Sequence, residues 1–186
     1  MATTMVDGEE KEGSVMKALV IYESMFGNTE TIAQAIAEGL RETFDVTVTD
    51  VSTMPRAFDM DLLVVGGPTH AFGMSRPSTR EQAAQQGTVR PHAVDVGIRE
   101  YLDCSPTLTG LAATAFDTKV DKPFLPGSAA HRAQRQLRRL GCRIVQPAQS
   151  FLVGGTAGPL KAHEEERARK WGTALAAAVT AARHTV

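Results

Sequence analysis

Cysteine is nearly missing from this sequence: 186 residues contain two, Cys104 and Cys142, and neither sits in a CxxC pair or a Cys/His cluster. That excludes a disulfide framework and a structural zinc site of ordinary spacing, and no metal ligand set is expected. Charge of one sign is missing too. The formal net charge is −1, so nothing in the bulk charge recommends nucleic acid as a partner, and none is expected. No apolar run approaches the roughly 18 residues of a membrane span, so no membrane association is expected either. Residues 1–14 (MATTMVDGEEKEGS) are acidic and poorly hydrophobic, unlike a signal peptide. They read as a disordered tail ahead of a domain spanning 15–186, in a cytoplasmic protein.

What the sequence does contain is alternation. The runs "MKALVIYE" (16–23) and "DLLVVGG" (61–67) are continuously apolar, as strands covered on both faces are. "FDVTVTDV" (44–51) alternates, and "GLAATAFDT" (110–118) is a weaker apolar run. Ile32, Ile36 and Leu40 mark one stripe of a helix over 29–43. Ser128 and Gly141 bracket a helix over 129–140 as N-cap and C′ residue. "CRIVQPAQSFLVGG" (142–155) reads as a strand interrupted near Pro147 and resuming at Ser150. A last helix over 160–183 carries Glu165–Arg169 and Glu166–Lys170 at i,i+4 and anchors Trp171 in the core. Strands alternating with helices predict an α/β protein with a parallel sheet. About forty residues between the third and fourth strands exceed what a crossover helix needs, which predicts a long insertion around 72–92.

One short stretch carries the functional argument. "YESMFGNTETIAQAIAEGL" (22–40) opens like a phosphate-binding loop between a strand and a helix, yet holds no lysine or arginine. A helix N-terminus presents unpaired N–H groups and the positive end of a dipole, so backbone and hydroxyls can hold a phosphate without a cation. Ser24 and Thr29 offer hydroxyls, Asn28 an amide, and Gly27 close approach or positive φ. A Walker A loop would place Lys where Asn28 stands, and the GxGxxG of a dinucleotide site is absent. A single terminal phosphate is the best match.

These residues also resemble a known family. "Ser24-Met25-Phe26-Gly27-Asn28-Thr29-Glu30" after "LVIY" is similar to the phosphate loop of flavodoxins, "VVGGPTHAFG" (64–73) to their second flavin loop, and "AATAFDTK" (112–119) to their third. "GGPTHAFGMSRPSTR" and "FDTKVDKPFLPGSAA" look like a group of actinobacterial flavodoxin-domain proteins. The resemblance implies a doubly wound five-stranded parallel sheet of order 2-1-3-4-5, helices on both faces, and flavin mononucleotide (FMN) at the strand-1/strand-3 switch point. Carried over residue by residue, Ser24, Met25, Phe26, Gly27, Asn28 and Thr29 wrap the phosphate. Pro68, Thr69, His70, Ala71, Phe72 and Gly73 line one side of the ring. Phe116, Asp117, Thr118 and Lys119, with Val120 to Lys122 after them, line its pyrimidine side. Phe26 stands where flavodoxins often have a hydroxyl, and the familiar stacking Trp and Tyr are replaced by His70, Phe72 and Phe124 as the π faces at hand.

The resemblance implies an electron carrier with no catalytic residues of its own. Its partner would be a redox protein or a small-molecule electron acceptor, and the chain a monomer or weak homodimer. Two alternatives stay open: an NAD(P)H- or quinone-dependent FMN oxidoreductase, since "PTHAFG" is similar to a loop of quinone reductases, and a flavodoxin-fold binding module without flavin. Lys119 and Lys122 predict a flavin less strongly reducing than in acidic flavodoxins. Arg76, Arg80 and Arg90 in the insertion either bind nucleotide phosphates, meet an acidic partner, or pin the insertion by salt bridges. The helix bearing His131, Arg132, Arg135, Arg138 and Arg139 is either a solvated face or a docking face. His92, His131, His163 and His184 share no ligand spacing, and both cysteines read as inert core or boundary thiols.

Overall fold

The computed structural model describes residues 15–123 and 126–183; the expected tail over 1–14, Phe124 and His184 lie outside the described residues. Five helices and six strands follow one another as β1 (Met16–Tyr22), α1 (Asn28–Leu40), β2 (Phe44–Asp50), β3 (Leu62–Pro68), α2 (Pro77–Ala84), α3 (Ile98–Cys104), β4 (Ala112–Val120), α4 (Ala129–Arg139), β5 (Arg143–Ile144), β6 (Gln149–Val153) and α5 (Glu164–Arg183). Every pairing between these strands is parallel and the order is β2-β1-β3-β4-β5, with β6 also on β4. β5 and β6 occupy one position of the sheet, pairing with Ala112–Ala113 and with Phe116–Val120 of β4. The break between them is filled by side chains. The Thr114 hydroxyl donates to Gln146 O at 3.0 Å, and Ala148 N–H donates to Gln134 Oε1 at 2.7 Å. This is the expected five-position parallel sheet, including the interruption near Pro147.

α1 and α5 cover one face of the sheet, α3 and α4 the other. The predicted stripe of Ile32, Ile36 and Leu40 is completely buried, each such side chain contributing about 1.5–3 kcal/mol. α5 lays Ala168, Gly172, Leu175 and Val179 against it, and Trp171 meets Phe151 edge-on at 6.1 Å. Glu166 pairs with Lys170 as predicted, at 2.6 Å, whereas Arg169 reaches Glu38 on α1 at 2.7 Å instead of Glu165. Ser128 caps α4 by accepting from His131 N–H, and Gly141 follows with φ 90°. Cys142 is buried, which pushes its thiol up to about 11, while Cys104 is exposed rather than at a core boundary. Among the described residues no helix is long and apolar enough to cross a membrane, and no three His, Cys, Asp or Glu side chains converge on a metal-sized site.

Candidate functional site

The loops after β1, β3, β4 and β6 meet at the carboxyl ends of their strands around an open cleft of roughly 260 Å³. In the first, Gly27 adopts φ 95° and opens α1. The Ser24 hydroxyl oxygen turns inward and accepts from Gly27 N–H at 3.1 Å and Glu30 N–H at 3.3 Å. The N–H groups of Phe26, Asn28 and Thr29 have no acceptor among the described hydrogen bonds. Asn28 donates through Nδ2 to Ala157 O at 3.1 Å, which ties the loop to the one after β6. Thr29 and Thr118 share a buried hydroxyl contact at 2.7 Å, joining the first loop to β4.

A cation from outside the loop does approach it. Arg90 lies between β3 and α3; its N–H donates to Met25 O at 2.8 Å, its guanidinium lies against Gly27, and it pairs with Glu30. The same segment packs on the loop through Met25, which is buried with Ala83 and Ala93, and through Phe26, packed beside Val89 and Val94. Phe26 therefore has a structural reason to be apolar: it seats the long segment.

The second loop turns back on itself. His70 and Gly73 exchange two backbone hydrogen bonds at 2.8 and 2.9 Å, with Ala71 and Phe72 between them at φ 40° and 71°. Positive φ at two consecutive non-glycine residues is costly. The turn is held by its surroundings: Arg132 fills the space a Gly73 side chain would take, and Gly127 abuts the Phe72 carbonyl. Phe72 is left half exposed, at 50%. Burial pushes the His70 imidazole below its ordinary value. Thr69 donates to Asp117 Oδ2 at 2.9 Å and accepts from Ala129 N–H, also at 2.9 Å. Asp117 Oδ2 also accepts from Ser128 Oγ at 2.6 Å and Ala130 N–H at 2.9 Å, so one buried carboxylate knots the second loop, β4 and the start of α4.

Of the residues expected at the site, Ser24, Met25, Phe26, Asn28, Thr29, Pro68, Thr69, His70, Ala71, Thr118, Lys119 and Val120 line the cleft. Gly27, Phe72 and Gly73 belong to the same loops without lining it. Phe116 and Asp117 point elsewhere: the Phe116 ring is fully buried, sets its outer end against Gly66 where no Cβ would fit, and packs edge-on against Phe151 at 6.3 Å. In a parallel strand every second side chain faces the opposite helix layer, so Phe116 goes to the α1 side, Asp117 to the α4 side. Lys122 is exposed.

One wall was not anticipated. Thr79, Gln82, Ala83 and Gln86, on or just after α2, also line the cleft, and Ala83 packs on Met25 of the first loop. Their i, i+3, i+4, i+7 spacing is visible in "TREQAAQQ", the one sequence signal that was there to find. α2 is held from below by Arg80, whose side chain is completely buried and donates to Ser75 Oγ (2.8 Å), Glu100 Oε2 (3.1 Å) and Val94 O (3.2 Å). Beside it Glu23 accepts from Ile98 N–H at 2.9 Å. Burial pushes the Glu23 carboxyl up to about 7, against the opposing pull of Ser75, Ile98 N–H and Arg80. Arg99 completes the attachment, donating to Met74 O and Ser75 O at 2.8 and 3.0 Å. Of the three insertion arginines, Arg80 and Arg90 pin the segment, and Arg76 stays exposed.

Residues 20–97 match the family model described as Flavodoxin. No functionally curated protein matches the chain in sequence. Among solved structures, an archaeal flavodoxin superposes with a TM-score of 0.62 at 21% identity, covering 89% of this chain and 99% of its own. Oxidised flavodoxin 1 of Bacillus cereus gives 0.61 at 22%, covering 86% and 96%. The flavodiiron core of Flv1 from Synechocystis gives 0.60 at 20%, covering 93% of this chain and 38% of its own. At these identities the likeness speaks for the fold.

Proposed function

We propose, starting from a chain that is flavodoxin-like in its fold and in residues 20–97, that it binds FMN in this cleft and works as a cytoplasmic electron carrier, with 15–186 as the flavodoxin-like domain. One observation carries the reading: unpaired N–H groups at Phe26, Asn28 and Thr29 converge at a helix N-terminus beside the Thr29 and Thr118 hydroxyls. That donor set suits a single phosphate dianion. Ser24 organises the loop by accepting from Gly27 and Glu30, and Asn28 holds it to the loop after β6. Pro68, Thr69, His70, Ala71, Thr118 and Lys119 border the space for the ring. A bound flavin supplies one- and two-electron chemistry, and the protein supplies orientation, charge and exclusion of water. His70, kept uncharged by burial, adds no positive field at neutral pH, whereas Lys119 does.

A titration of flavin fluorescence tests this. FMN should bind at least about tenfold more tightly than riboflavin, since the phosphate makes the charge-assisted contacts, and Gly27→Asp should abolish that preference. A protein that takes up neither flavin overturns the reading and leaves the flavin-free binding module; one that takes up both alike overturns the phosphate site on which the reading rests. The wall of Thr79, Gln82 and Gln86 in the cleft favours one further reading, a flavin oxidoreductase acting on a small molecule. Rapid consumption of NAD(P)H with a quinone, without a second reductase, would select it over the carrier.

A further inference from the structure

α4 presents its buried face, Ala129, Ala130, Ala133, Gln134 and Leu137, to the sheet, and an outer face of a different kind. His131, Arg132, Arg135, Arg138 and Arg139 are all exposed there. α4 contains no acidic residue, and none of these five side chains has a hydrogen bond or ion pair among the described residues. Elsewhere exposed Arg90, Arg169 and Arg183 are ion-paired and Arg41, Arg56, Arg76 and Arg143 stand singly, so it is the clustering of unpaired arginines on one helix that sets α4 apart. Asp103, on the neighbouring α3, accepts from Gln136 Nε2 at 3.2 Å and not from an arginine of α4.

The stripe is also placed at the cleft. The first turn of α4 is tied to Thr69 and Asp117, and Arg132 covers Gly73 in the strained turn that holds half-exposed Phe72 outward. From that aromatic tip the arginines run away along a helix of 11 residues, about 16 Å long.

We propose that the α4 arginines and Phe72 form a docking surface for an acidic protein, one that sets carboxylates on Arg132, Arg135 and Arg139 and an apolar contact on Phe72. The charge is local, four arginines on one short helix of a chain whose net charge is −1. A compact acidic patch can match it, whereas an extended polyanion, a nucleic acid or an anionic membrane, would also meet the carboxylates on the rest of the surface. That such a partner exchanges electrons rests on the proposed function; the docking itself does not.

The probe is an acidic plant-type [2Fe–2S] ferredoxin, labelled for fluorescence anisotropy and titrated with the flavin-free and the FMN-loaded chain at ionic strength of about 0.01 M, where screening extends about 30 Å. Wild type should bind it, with affinity falling as salt is added. The double variant Arg132→Glu/Arg135→Glu should lose about tenfold or more, and Phe72→Ala several-fold with an unchanged salt slope. Equal binding by wild type and the double variant overturns the proposal, as does failure of wild type to bind. Tighter binding of a DNA duplex or of phosphatidylserine vesicles than of the ferredoxin overturns it as well. FMN uptake, measured in the same samples, keeps the two readings apart. Ferredoxin binding without FMN uptake removes the carrier and leaves the docking surface, and FMN uptake without ferredoxin binding does the reverse.

Discussion

The α1/α5 layer and the segment between β3 and α3 are attached to the same sheet by opposite means. The helix pair is held by shape. Gly39 and Gly172 let the backbones approach so closely that a Cβ on Gly39 would stand 2.1 Å from Arg169 O, and one on Gly172 2.3 Å from Ile36 O. Around these glycines lies an apolar layer of Ile32, Ile36, Leu40, Ala168, Leu175 and Val179. The segment that walls the cleft is held largely by charge: buried Arg80 on Ser75, Glu100 and Val94, Arg99 on two carbonyls, Arg90 on Glu30, with apolar support from the small Met25 cluster and from Met74 and Val96 at its ends. The first kind of attachment is uniform and hard to open locally. The second concentrates in a few side chains, so it can be released at one end while the sheet stays folded.

The contrast can be broken where it is strongest. Gly39→Ala should destabilise the whole molecule by about 3 kcal/mol, because two backbones must move apart; chemical denaturation with an unchanged midpoint would remove the close-packing argument. Arg80→Ala should cost about 2 kcal/mol by leaving Glu23 and Glu100 without their buried cation. Its loss should be local, read as new proteolytic cleavage between 71 and 97 while the sheet retains amide protection; protease resistance equal to wild type would show that the segment does not depend on it.

Glu23 sharpens the comparison through pH. An unperturbed carboxyl titrates near 4.5, and Glu23 in the folded chain near 7. Between these values the folded state holds a proton that the unfolded state releases, so stability falls as pH rises through that window and the cost is complete above about 7. Glu23→Gln should flatten the decline in melting temperature between pH 5 and 8; an unchanged decline would mean that other groups cause it. On the rim, Lys119→Ala should lower the flavin reduction potential by roughly 40 mV, the equivalent of about 1 kcal/mol for one electron, as followed by spectroelectrochemical titration. The smallest effect is expected at the outer end of the segment. Arg90→Gln removes a half-exposed ion pair and should change stability by about 0.5 kcal/mol or less, while hydrogen exchange at Gly27 and Glu30, whose N–H groups are held by Ser24, quickens; a large loss of stability would make Arg90, not Arg80, the main attachment.

How much could be read beforehand depended on the range of the interaction. The strands of the sheet, the stripe of α1, the caps of α4 and the break near Pro147 all follow from neighbours in sequence, and each stands within a few residues of where its pattern put it. The loop residues around the cleft were legible for the same reason, since strand ends and turn residues place them. Phe116 and Asp117 were misdirected because a loop motif names positions without saying which face of the strand each side chain takes. The arginines of the long segment could not be resolved at all: Arg76, Arg80 and Arg90 look alike in sequence, yet one is exposed, one completely buried and one laid on Gly27.

By itself, then, the sequence determined the alternation of strands and helices, the parallel class of the sheet and the glycine turn that opens a helix after β1, since hydrophobic period, capping and glycine placement act over short separations along the chain. Only the tertiary structure decided that a cation reaches that turn from Arg90, that α2 walls the cleft, and that buried Glu23 shares its site with Arg80. These depend on charges brought together across dozens of residues, where the energy of each group is set by its burial and its partners and not by its neighbours in the chain.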